Sequence, residues 1–83
     1  MNEADAVFAR AVKCATEIVQ GQTEPYEGAK VLWQMWTELS GLVEELLVFV
    51  GLASEWEDSP EHRAAYEDDI RRAADRFRAR FGP

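Results

Sequence analysis

Apolar residues recur at Ala4, Val7, Phe8, Ala11, Val12, Ala15, Ile18 and Val19, the i, i+3, i+4 spacing that lines one side of an α-helix. Asn2 is the expected cap, Glu3 and Asp5 fall in the first turn where the helix dipole favours anions, and Gly21 ends the segment. A second stripe runs through Tyr26, Ala29, Leu32, Trp33, Trp36 and Leu39. It starts at Thr23-Glu24-Pro25, where proline sits in a first turn that needs no N–H from it. Val31 and Met35 widen this face, which predicts contact with more than one neighbour, and Ser40-Gly41 supplies a stop or a sharp bend.

The third segment reads two ways. Leu46-Leu47-Val48-Phe49-Val50 is rich enough in β-branched residues for a buried strand, but a lone strand has nothing to pair with. Leu42, Leu46, Phe49, Val50, Ala53 and Trp56 keep helical spacing, so a helix is predicted. Gly51 inside it costs up to about 1 kcal/mol relative to alanine, which a close helix–helix approach would explain. Ser59, Pro60 and Glu61 then form a helix start, and Tyr66, Ile70, Ala73, Ala74, Phe77 and Phe81 form a narrow stripe. Glu67–Arg71, Asp68–Arg72 and Arg71–Asp75 are spaced for i, i+4 ion pairs. Arg76, Arg78 and Arg80 crowd the end where the dipole favours cations, before Gly82-Pro83. Four helices with short links predict an all-α, antiparallel four-helix bundle, a single domain over residues 1–83.

A chain of 83 residues with 47% apolar content and three tryptophans is globular in composition, although one this small buries only about 60–65% of its unfolded surface. Charge changes the picture more. The net value is −7, and it is uneven: Glu38 to Asp69 holds ten acids against one base, Arg63. Residues 63–83 hold six bases and four acids. Such a surface repels nucleic acid and anionic membrane, and it attracts a basic protein. The same acids also serve solubility. The start of the chain lacks the basic and apolar regions of a secretory signal, and no apolar run approaches the ~20 residues of a membrane span. A cytoplasmic chain is expected.

Candidate chemistry is sparse. His62 is the only histidine, and Pro60 stands at a helix boundary between it and Asp58. Without a nearby Ser, Cys or second His it makes neither a triad nor a metal cage. Cys14, the only cysteine, lies beside the first apolar stripe and behaves there as a small hydrophobe. Glu67-Asp68-Asp69 and Glu44-Glu45 are adjacent in sequence, so their carboxylates point about 100° apart on a helix and do not converge on one ion. No Glu-x-x-His and no glycine-rich phosphate loop occurs. The expectation is a protein without catalytic residues, metal or cofactor. What remains is surface. Trp56 lies within Glu55-Trp56-Glu57-Asp58, and Tyr66 follows with Glu61, Glu67, Asp68 and Asp69 around it. Interface energy concentrates in Trp, Tyr and Arg, and flanking acids steer a basic partner. The bland alternative makes Trp56 the last core anchor of the third helix. The preferred binding face is Glu55 to Asp69.

From Ile18 to Phe77 the layout resembles the small bacterial colicin-like immunity proteins, of the colicin D immunity kind. The features that carry this are Ile18-Val19-Gln20-Gly21, Pro25-Tyr26-Glu27 before Trp33 and Trp36, Leu46-Leu47-Val48-Phe49, Trp56-Glu57-Asp58-Ser59-Pro60, and Tyr66-Glu67-Asp68-Asp69. The chain departs from that layout in Gly28, in its alanine-rich last helix and in its arginine-dense end. The resemblance implies a four-helix bundle that blocks a toxic tRNA-cleaving nuclease by placing carboxylates in its basic cleft. Matching positions are Glu55, Glu57, Asp58, Glu61, Glu67, Asp68 and Asp69. The competing expectation is a structural or adaptor protein, acting through homodimerisation or docking on another subunit by way of its tryptophans.

Overall fold

The computed structural model describes residues 3–38, 41 and 44–82, with side chains from Ala6 onward. Among the described residues there are four α-helices: α1 Glu3–Val19, α2 Pro25–Glu38, α3 Leu47–Asp58 and α4 Arg63–Phe81. Short 3₁₀ turns at Glu44–Leu46 and Pro60–His62 lead into α3 and α4. Among the described residues there is no strand, and the ambiguous Leu46–Val50 segment is helical. The expected roles of Asn2, Leu39, Ser40, Leu42 and Pro83, and of the Glu3, Ala4 and Asp5 side chains, fall outside what is described.

Each neighbouring pair of helices meets end to start. The close of α1 touches the beginning of α2 at Ile18 and Gly28. Tyr26 at the start of α2 stacks on Trp56 near the end of α3. Phe49 early in α3 packs edge-on against Phe77 late in α4, with ring centroids 6.1 Å apart, and Phe8 early in α1 meets Phe77 and Phe81. The result is an antiparallel four-helix bundle in which α1 and α3 each pack between α2 and α4.

The core combines small and large side chains. Ala15, Ala29, Ala53 and Ala74 are fully buried and let the helix backbones approach, while Ile18, Leu32, Leu46, Phe49 and Ile70 fill the space between them. Met35 is buried in this core but Val31 is exposed, so α2 reaches its several neighbours without the extra width that Val31 suggested.

Gly21 ends α1 as expected, at φ +77°. The Gln22 N–H donates to Glu17 O at 2.9 Å and the Gly21 N–H to Ile18 O at 3.2 Å, the paired bonds of a Schellman cap. Gly51 is a correction. It is exposed, and a Cβ built there would have no neighbour within 4 Å. The close approach is at Gly28 instead, where a Cβ would lie 2.5 Å from Ile18 Cδ1 and Cγ1. The charge ladder of α4 also differs from expectation. Asp68–Arg71, Asp69–Arg72 and Asp75–Arg78 pair at i, i+3, at 3.0, 3.8 and 3.0 Å. Aspartate is too short to favour the longer spacing, and Glu67 is turned toward Trp56. Ser59 precedes the Pro60 turn without a side-chain capping bond, and α4 proper begins at Arg63.

Candidate functional site: an acidic corner around Trp56

The last turn of α3 carries Glu55, Glu57 and Asp58 and no basic residue. This is the end of a helix where the dipole disfavours anions, at about 0.3–1 kcal/mol for each charge. The neighbouring helix supplies the answering cation. Arg63, the first residue of α4, donates from Nε to the Trp56 carbonyl at 3.1 Å. Its guanidinium carbon lies 3.8 Å from the Trp56 ring centroid. Arg63 therefore satisfies a terminal carbonyl of α3 and sets a positive charge against the negative pole.

Tyr26 stacks on the same indole, with centroids 3.8 Å apart and planes 12° from parallel. Two groups at that distance from one ring occupy opposite faces, so Trp56 is sandwiched between Tyr26 of α2 and Arg63 of α4. The indole N–H donates to Glu67 Oε2 at 3.1 Å, and the Tyr26 hydroxyl donates to Glu57 Oε2. That hydrogen bond, then burial, then the negative charges of Glu57 and Glu27 push the Tyr26 phenol up to about 12, against a smaller opposing pull from Arg63. The Lys30 ammonium sits 5.4 Å from the Tyr26 ring centroid.

Three helices thus join at one corner. Trp56 is half-buried with both faces covered, and it lies in a peripheral aromatic cluster rather than in the main core. Neither an open aromatic hot spot nor a last core anchor describes it well. Its surroundings are what face solvent. Glu55, Glu57, Asp58 and Glu61 are exposed, and Tyr66 and Glu67 are half-buried. Glu57 and Glu67 accept hydrogen bonds from the uncharged Tyr26 hydroxyl and Trp56 indole rather than from a cation. Exposed Asp68 and half-buried Asp69 are answered by Arg71 and Arg72. Glu55, Asp58 and Glu61 have no ion-pair partner among the described residues.

Tyr26 lies outside the Glu55 to Asp69 face expected from the sequence, and Arg63 lies within that stretch without being one of its expected contacts. Tyr26 reads as one more apolar position of α2, and nothing local pairs it with Trp56, 30 residues on. For Arg63 a signal exists: it is the one base within the acidic run from Glu38 to Asp69. His62 is exposed on the 3₁₀ turn. Cys14 is buried, and its thiol donates to the Gly28 carbonyl at 3.5 Å. Burial, and to a lesser degree the nearby Glu17, push that thiol up to about 11, so it is protonated at neutral pH. Among the described residues, no group of three His, Cys, Asp or Glu side chains is placed to hold a metal ion, and no helix is long and apolar enough to cross a membrane.

Fold and corner together define an acidic helical bundle whose carboxylates gather where two helices turn. No family model matches the chain, and no curated protein or solved structure is significantly similar to it.

Proposed function

We propose that this chain is a protein-binding inhibitor that presents the α3–α4 corner to a basic partner, in the manner of an immunity protein blocking the basic site of a nuclease toxin. The observation that carries the reading is the last turn of α3. Three carboxylates stand at the helix pole that disfavours them, with no basic residue in that turn. Local rules are broken most often where function requires it. Solubility alone would be served by acids anywhere on the surface, at no cost to a helix end.

In this reading Glu55, Asp58 and Glu61 are the leading contacts, because nothing within the described chain neutralises them. Glu57 and Glu67 are aligned by Tyr26 and Trp56, so their carboxylates are held in place before the partner arrives. Prealigned charge raises the association rate and makes it salt-sensitive. Asp68 and Asp69 contribute less, since their arginines already answer them. The chain acts by contact, without a catalytic step or a cofactor of its own.

The test is capture from the native host with the immobilised chain, compared with the triple variant Glu55→Lys, Asp58→Lys, Glu61→Lys. The expected result is a basic protein retained by the wild type, released as salt rises from about 50 to 500 mM, and not retained by the triple variant. Equal capture by both proteins sinks the proposal.

A further inference from the structure

At the opposite end of the bundle, the first turns of α3 and the last turns of α4 leave an open groove of about 390 Å³. Its floor is Val48, Phe49, Ala73, Phe77 and Phe81. Val48 is 45% exposed, and Leu47 beside it at the start of α3 is 51% exposed. These are two of the three large apolar side chains that the described residues leave exposed. The rim is charged, with Glu45 ahead of α3 and Arg76 and Arg80 four residues apart on α4. None of the three has an ion-pair partner among the described residues, although Arg71, Arg72 and Arg78 of the same helix all do. Arg80 lies over the Phe81 ring, 5.0 Å from its centroid, which keeps its charge beside the groove.

We propose that this groove is a self-association surface on which a second copy of the chain docks about a two-fold axis. A two-fold contact brings one patch against itself and so needs a self-complementary patch, which an apolar centre rimmed by both a carboxylate and arginines provides. In such a pair, Leu47 and Val48 of the two copies cover one another, and Glu45 of each copy meets Arg76 or Arg80 of the other. A small anionic ligand would be repelled by Glu45, and a basic segment by the two arginines. The mixed rim fits a partner carrying both signs around an apolar centre, which a second copy does. The groove and its rim involve far fewer residues than the roughly 20–30 a side of a standard interface, so the association is weak and concentration-dependent. It leaves the acidic corner uncovered and does not rest on the function proposed for that corner.

Sedimentation of the full chain between about 10 μM and 1 mM tests it. The expected result is a mass rising from 9.4 kDa toward twice that value. Val48→Glu, at a half-exposed position, abolishes the rise without changing the helical circular dichroism. Glu45→Arg alone weakens the dimer by about tenfold or more, and adding Arg76→Glu and Arg80→Glu to it restores association. A wild type that stays monomeric to 1 mM overturns the proposal. So does a dimer that survives Val48→Glu, or a triple charge exchange that fails to restore association while keeping the helical spectrum.

Discussion

Two glycines of identical chemistry occupy opposite situations in this chain. Gly51 is exposed in the middle of α3 with no atom near its missing Cβ, so it carries only the backbone cost of glycine in a helix. Gly51→Ala is expected to stabilise by about 0.5–1 kcal/mol, read as a rise of several degrees in the midpoint of thermal unfolding. Gly28→Ala is expected to do the reverse. The new methyl would collide with Cγ1 and Cδ1 of Ile18, a fully buried side chain with nowhere to turn. Overpacking costs about 1–3 kcal/mol and outweighs the gain in helix propensity. Spacing alone singled out Gly51, because it interrupts an apolar run. It could not show that the α1–α2 crossing puts the tight contact at Gly28. Two buried or partly buried donors, Cys14 and Tyr26, supply a pH signature. Both have raised values in the fold, about 11 against 9.0 and about 12 against 10.0, so both favour the protonated folded form. Their contribution is fully present below pH 9 and is lost as pH rises from about 9 to 12. Urea unfolding followed against pH should show that decline, and Cys14→Ala should remove its earlier part, between about pH 9 and 11.

At the scale of the element, α3 is the least conventional helix. Its first turn has no side-chain cap, and its last turn is acidic without a local base. Arg63 compensates from outside the helix, and Arg63→Gln should cost about 1–2 kcal/mol, since a hydrogen bond to a charged donor and a cation–π contact are lost together. Hydrogen exchange should then quicken at the Ser59 amide, which closes α3 through its bond to Glu55 O. Glu55→Lys and Asp58→Lys lead the other way. Each should raise stability by about 0.3–1 kcal/mol by suiting the dipole, while weakening capture of the basic partner. A gain in stability with no loss of binding would leave the corner a solubilising surface only. The helix ends themselves were largely legible, because Gly21, Pro25 and Pro60 act locally. The pairing on α4 was not, since it depended on Glu67 being drawn away to the Trp56 indole.

The whole molecule has two unlike ends. All four phenylalanines, Phe8, Phe49, Phe77 and Phe81, gather at the end where α1 and α3 begin and α4 finishes. Tyr26 and Trp56 lie at the other, beneath the acids. Groups separated by the length of the bundle, with no shared partners, should act additively. The lysine triple variant should therefore dimerise as the wild type does, and Val48→Glu should still capture a basic partner. Titrating each variant in both assays checks this. A cross-effect would mean that the two ends communicate through the core.

Amphipathic periodicity by itself determined four helices, their approximate limits and an antiparallel bundle, because burial of a one-sided apolar stripe needs only a neighbour and short links allow only one arrangement of neighbours. Composition by itself located the acidity between Glu38 and Asp69. Tertiary structure decided everything that depends on residues distant in the chain. It set Tyr26 and Arg63 on the two faces of Trp56, moved the close helix contact from Gly51 to Gly28, and turned Glu67 toward the Trp56 indole. The physical reason is common to all of these. A helical stripe is a property of residues three and four apart, whereas a stack, a clash or a hydrogen bond between helices exists only once the helices have packed.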